Sequence, residues 1–229
     1  MPNKPTKAQR REAAKAARFE SERKAKKERR KRFMLGGFIG AAIIGLIVAI
    51  ILASGSSNKI SVVGLNKDAS AAGCTNLITN ADQGRSHIQS PQTFNYNSNP
   101  PTSGSHYAIA GTAPTPTGVH FNQIQDEIQV HNLEHGHIGI QYNNIPDGVK
   151  SALEQFTNAR DTYVFMAPRP QLAQVGVQLA FTRWDQKITC VSATDSAAVV
   201  KLATTFYNDF HGDGPEGAIP GTPITSSGQ

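Results

Sequence analysis

The chain has 229 residues, with 23 Lys and Arg against 17 Asp and Glu and a formal net charge of +6. The charge is unevenly placed: 14 basic residues and four acids precede Phe33, leaving nine basic against 13 acidic side chains after it. A pI near 9.4 therefore does not indicate a nucleic-acid partner, because the basic excess is confined to one terminal segment in which Phe19 is the single aromatic residue.

Residues 1–32 form that basic segment, which closes on Glu28-Arg29-Arg30-Lys31-Arg32. Residues 33–53 follow as 21 residues without a charge, enough at about 1.5 Å per residue to cross a hydrocarbon core of roughly 30 Å as one helix. The positive-inside rule places residues 1–32 in the cytoplasm, touching anionic lipid, and everything after the span outside. Both the apolar run and the basic head exceed those of a cleaved signal peptide, so an uncleaved single-pass signal anchor in the cell membrane is expected. Residues 54–72, rich in Ser, Gly, Ala and Asn, read as a linker.

Residues 73–217 have the length of one ordinary domain, and residues 218–229, with Pro220, Pro223 and several Gly, Thr and Ser, read as a flexible tail. Cys74 and Cys190, the two cysteines of the chain, stand near the two ends of this domain. Outside the cytoplasm an isolated pair of this kind is most simply a disulfide. The first half is rich in loops, with Ser90-Pro91, Asn99-Pro100-Pro101 and the segment 111–116 breaking regular structure. Regular elements concentrate later: a strand over 138–142, a helix over 149–159, and a strand over 162–166. Strands over 178–184 and 188–191 come next, with one continuous strand through Asp185-Gln186-Lys187 as the alternative. A last helix over 197–210 is started by Ser192 or Asp195. A β-α-β-β-α order of this kind implies an α+β domain with a mixed β-sheet.

The chemistry concentrates in Val130-His131-Asn132-Leu133-Glu134-His135-Gly136-His137. On a helical turn His131 and His135 share one face and can hold one ion, whereas on a strand they would stand roughly 13 Å apart. Gly136 favours the helix, since it can end one there. The five residues 131–135 also fit the H-x-x-E-H pattern of inverted zinc metallopeptidases, with Glu134 as general base. Gly136, Gly139 and the β-rich sequence that follows cut short the long helix which that pattern needs. Glu134 equally suits the orienting of a histidine. Upstream, Pro100-Pro101-Thr102-Ser103-Gly104-Ser105-His106-Tyr107 can present His106 from a rigid loop. Ser103 and Ser105 lack the Gly-x-Ser-x-Gly setting of a hydrolytic nucleophile.

Together with Tyr96, these two segments resemble the bacterial family of domain of unknown function 3105. The resemblance extends from Cys74 through Gly84-Arg85-Ser86-His87, Arg183-Trp184 and Cys190 to Pro215-Glu216. Ser105 stands where the family usually has proline, and His106 keeps its place. The resemblance implies a basic cytoplasmic head with one membrane anchor, implies no assigned activity, and singles out His87, His106, His131, Glu134 and His135. Four imidazoles, His87, His106, His131 and His135, would suit a zinc or copper ion. A metal-free module for a protein or glycan partner, built on the same histidines with Tyr96, Tyr107, Asn132 and Glu134, is the other reading.

Overall fold

A computed structural model describes residues 62–224. The basic segment, the apolar span, residues 54–61 of the expected linker and the last five residues of the expected tail lie outside the described residues. Among the described residues no helix is long and apolar enough to cross a membrane.

Helix α1 (Val62–Ala71) opens the domain. Four two-residue strands thread the turn-rich half: β1 (Ile78–Thr79), β2 (His87–Ile88), β3 (His106–Tyr107) and β4 (Gly118–Val119). Longer elements follow as α2 (Asp126–Glu134), β5 (Ile138–Tyr142), α3 (Asp147–Asn158), β6 (Val164–Pro168), a 3-10 turn (Pro170–Val175), β7 (Leu179–Arg183), β8 (Gln186–Cys190) and α4 (Ser196–Phe210). The expected α+β architecture with a mixed sheet is present. Six strands run in the order β1-β8-β7-β5-β6-β4, antiparallel from β1 to β5 and parallel where β6 meets β5 and β4. Strands β2 and β3 form a separate parallel pair.

Both sheet faces are covered, which is why β5 and β6 are almost entirely buried and read as apolar runs. Phe165 of β6 packs with Val130 and Leu133 of α2 and with Trp184. On the other face Met166 meets Thr157 of α3, and Phe181 of β7 lies 6.0 Å, ring to ring, from Phe206 of α4. Gly139 makes the tight crossing in β5 possible, for a Cβ there would fall 2.4 Å from Thr182 Oγ1 and 2.7 Å from Phe165 Cζ. Helix α4 begins as expected at Asp195, whose carboxylate accepts from the backbone N–H groups of Ala197 and Ala198.

The two expected strands are separate, and two other expectations need correction. Strands β7 and β8 are not continuous: Arg183 pairs with Gln186, and Trp184-Asp185 makes a tight turn in which Asp185 takes φ +60°, a conformation that aspartate tolerates. Residues 62–71 of the expected linker are helix α1, because Leu65 and Ala69 are one turn apart and both are fully buried. Asp68 fastens it to α4 by accepting from Thr205 Oγ1 at 2.8 Å and pairing with Lys201 Nζ at 2.7 Å. Residues 218–224 of the expected tail are tied down by backbone bonds, Gly221 N–H to Thr162 O and Ile224 N–H to Thr117 O. Composition gave no hint of these partners, since backbone groups of any sequence can make them. Cys74 and Cys190 form the expected disulfide across 116 residues, fixing the chain just after α1 to the end of β8.

Candidate metal centre

The loop that delivers His106 is held at each step. Thr102 Oγ1 accepts from Asn80 Nδ2 at 3.1 Å, Thr102 O from Asp185 N–H at 3.0 Å, and Ser103 Oγ from Gln83 N–H at 3.2 Å. These residues are buried, so the Thr and Ser serve structure, as such side chains commonly do in turns. Gly104 has φ +129°, and a Cβ on it would stand 2.7 Å from the Phe94 ring. Next in the chain, Ser105 O accepts from Tyr96 Oη at 2.7 Å. The chain then enters β3, where His106 is the direct partner of His87 on β2. Register thus sets two histidines 19 positions apart side by side, with ring centroids 5.1 Å apart.

Helix α2 supplies the remaining groups. Asp126 and Glu127 lie in its first turn, where the helix dipole favours negative charge. Val130 and Leu133 turn toward the Phe165 and Trp184 core. His131 and Glu134 are three residues apart, and His131 and His135 four, so all are neighbours on the helix surface. The helix stops as expected: His135 is its C-terminal cap and Gly136 takes φ +78°. A Cβ at Gly136 would lie 2.7 Å from the backbone of Gly212.

His106 Nδ1 donates to Gly104 O at 2.8 Å, and His131 Nδ1 donates to Tyr107 O at 2.6 Å. A carbonyl only accepts, so both hydrogens sit on Nδ1 and each ring turns its Nε2 into the cluster. His106 Nε2 lies 2.8 Å from Glu134 Oε2, and His87 Nε2 lies 3.7 Å from the same oxygen. One ligand atom from each of His87, His106, His131 and Glu134 falls within 4.8 Å of the others. A second group shares His131: its Nε2 is 3.1 Å from His135 Nε2, which is 3.1 Å from Glu216 Oε2.

The structure therefore brings His87, His106 and His131 together, with Glu134 in the same group. His135 stands next to them, in the second group. His120 and His211 belong to neither; their rings bond the carbonyls of Pro116 and Tyr207. Glu216 was not a candidate ligand in the sequence, and its one signal there was the Pro215-Glu216 pair within the resemblance. It reaches His135 because the segment carrying it is strapped down. Arg85 Nη1 donates to Pro215 O at 3.1 Å, Arg183 Nη2 to Asp213 O at 3.0 Å, and Glu216 N–H to Glu134 O at 3.2 Å.

The family described as "Protein of unknown function (DUF3105)" matches residues 87–220. The chain belongs to this family. No curated protein and no solved structure matches the chain. Both His/Glu groups and Arg183 lie within the DUF3105 match, whereas α1, Cys74 and Arg85 precede it.

Another conspicuous histidine of the DUF3105 region is structural. His137 is fully buried; its Nδ1 accepts from Asn132 Nδ2 at 2.9 Å and its Nε2 donates to Ile219 O at 2.9 Å. Asn132 also accepts from Thr115 N–H and donates to Thr115 O. Burial pulls His137 from the ordinary 6.5 down to about 4, against the bond to Ile219. Burial likewise pulls His131 to about 4, opposed by its bond to Tyr107 and aided by the neighbouring His135, His106 and His87. Both rings are thus neutral at neutral pH.

Acid should therefore destabilise the metal-free domain. The folded values lie below that of the unfolded chain, so the unfolded chain takes up protons first as pH falls. Stability is complete above about 6.5, declines as pH falls toward about 4, and loses nothing further to these two groups below that. The loss amounts to at most roughly 3 kcal/mol per ring. Urea unfolding with chelator present is expected to show a lower midpoint at the acid end of this window than at neutrality. An unchanged midpoint would mean that the rings titrate as they do when exposed.

Proposed function

We propose that the chain is a membrane-anchored, extracytoplasmic protein whose folded domain binds a zinc or copper ion through His87, His106, His131 and Glu134. The observation that carries this reading is the pair of Nδ1–H bonds to backbone carbonyls at His106 and His131. Such bonds fix tautomer and ring orientation in metal-ligating histidines, and here they turn two Nε2 atoms toward a carboxylate and a third imidazole. Two acceptor atoms 2.8 Å apart, such as His106 Nε2 and Glu134 Oε2, need a proton or a cation between them. Three imidazoles and a carboxylate suit a divalent ion of the zinc or copper kind.

The anchor reading is supported by the basic residues ahead of an uncharged run of 21 residues. The disulfide agrees with an oxidising compartment. Under the H-x-x-E-H reading Glu134 would act as base on a metal-bound water. Against it, the carboxylate is buried and held 2.8 Å from His106 Nε2, and the helix has nine residues. A metal-free binding wall would need no convergence of ring nitrogens. Elemental analysis of the detergent-solubilised full chain, reconstituted with zinc or copper and then desalted, is expected to give one ion per chain. Absence of both metals after reconstitution would sink the reading.

A further inference from the structure

Two imidazoles and a carboxylate form a second group beside the first, and its differences from the first are chemical. The inner group offers four protein ligands, of which His106 and Glu134 are at most 1 % exposed. The outer group, His131, His135 and Glu216, offers three, and its outermost member Glu216 is 39 % exposed. Structural zinc sites are closed by four protein ligands, whereas sites with three keep a fourth position open to water or an incoming ligand.

The separation of the outer ligands suits an ion. At about 2.0–2.2 Å from each ligand, tetrahedral geometry spaces the ligand atoms by roughly 3.3–3.6 Å. The two separations of 3.1 Å through His135 Nε2 come close to that spacing. Glu216 is also not a freely swinging surface acid, since Arg85, Arg183 and two backbone bonds, Glu216 N–H to Glu134 O and Gly212 N–H to Gly136 O, fasten its segment.

His131 links the two groups and limits them. Its Nδ1–H is committed to Tyr107 O, which leaves one lone pair, on Nε2, for metal. One imidazole nitrogen binds one ion, so the inner and outer positions cannot both use His131 at once. We infer that His131, His135 and Glu216 form an outer capture position for a divalent transition-metal ion, from which the ion passes to the inner group by exchange of ligands around His131. The inference rests on the metal-binding reading of the inner group and adds the route by which that group is filled.

Two variants test it without replacing an inner ligand. Glu216→Gln removes the outer carboxylate. Gly214→Ala lifts the segment that carries it, because a Cβ at Gly214 would fall 2.3 Å from Glu134 O and 2.4 Å from Gly136 N. Metal-free full chain in detergent is mixed with Zn2+ held by a weak chromogenic chelator, and loading is followed by stopped flow. Both variants are expected to load about tenfold more slowly or worse, and in Glu216→Gln the equilibrium affinity stays within about threefold of wild type. His106→Ala is expected to keep a weak, rapidly exchanging ion at the outer position, and adding Glu216→Gln should remove it. Wild-type loading rates in Glu216→Gln overturn the capture position. So does an affinity loss in Glu216→Gln as large as that of His106→Ala, which would make Glu216 a ligand of one undivided centre. If Gly214→Ala fails to fold, Glu216→Gln alone decides. Failure of the wild type to bind zinc or copper at all is a different result, and it removes the metal-binding reading itself.

Discussion

Replacing His131 with alanine is expected to lower zinc or copper affinity by two to three orders of magnitude, the largest effect of any single substitution at the site. Apparent binding free energies of structural zinc sites are roughly 10–16 kcal/mol over four ligands, or about 2.5–4 kcal/mol per ligand. At about 1.4 kcal/mol per tenfold, that is a loss of roughly 100- to 1000-fold. His131 belongs to both His/Glu groups, so its loss leaves no complete set. The substitution also leaves Tyr107 O without the ring N–H that it accepts, at a cost of about 1–3 kcal/mol. Circular dichroism should therefore accompany the competition titration against a chelator, to show that the variant is folded. His211→Ala is the matched control, because that ring bonds Tyr207 O and stacks on the Tyr207 ring and belongs to neither group. Wild-type affinity in folded His131→Ala would remove His131 from the site, and an equal loss in His211→Ala would show that the effect is not local.

The second large effect is on stability. The Cys74–Cys190 bridge closes a loop of 116 residues, and chain entropy alone makes that worth up to about 5 kcal/mol. The double variant Cys74→Ser with Cys190→Ser is expected to lose roughly 3–5 kcal/mol and to melt roughly 10 °C lower. Neither cysteine belongs to a His/Glu group, so below its melting range the variant should still bind one ion. Calorimetry of oxidised wild type and of the double variant, each with and without zinc, measures both effects. Equal melting temperatures would deny the bridge a stabilising part. Loss of the ion from the folded variant would show that the clamp also shapes the site.

Much of the second half of the domain is legible in the sequence because its signals are local. Val149, Leu153 and Phe156 recur at helical spacing and become the buried face of α3, since a 3.6-residue period can be read without knowing what covers it. Asp195 starts α4 by bonding N–H groups two and three residues on. The pairing of His131 with His135 follows from four residues on a helix, and Gly136 marks where that helix ends. The partnership of Cys74 with Cys190 needed only that no other cysteine was there.

What stayed hidden depends on segments meeting from afar. Helix α1 has the composition of a tether, and it is a buried helix only because α4 covers Leu65 and Ala69. Residues 218–224 hold their place through backbone bonds to Thr117 and Thr162, which no side-chain pattern records. The sequence by itself determined the α+β order, the disulfide and the residue types able to hold a metal. Only the tertiary structure decided that His87 stands beside His106, that Glu134 joins them, and that Glu216 reaches His135. Strands of two residues carry too little periodicity to announce their register. A ligand set drawn from β2, β3, α2 and a strapped C-terminal segment exists only once long-range packing has brought those four pieces within a few ångströms of one another.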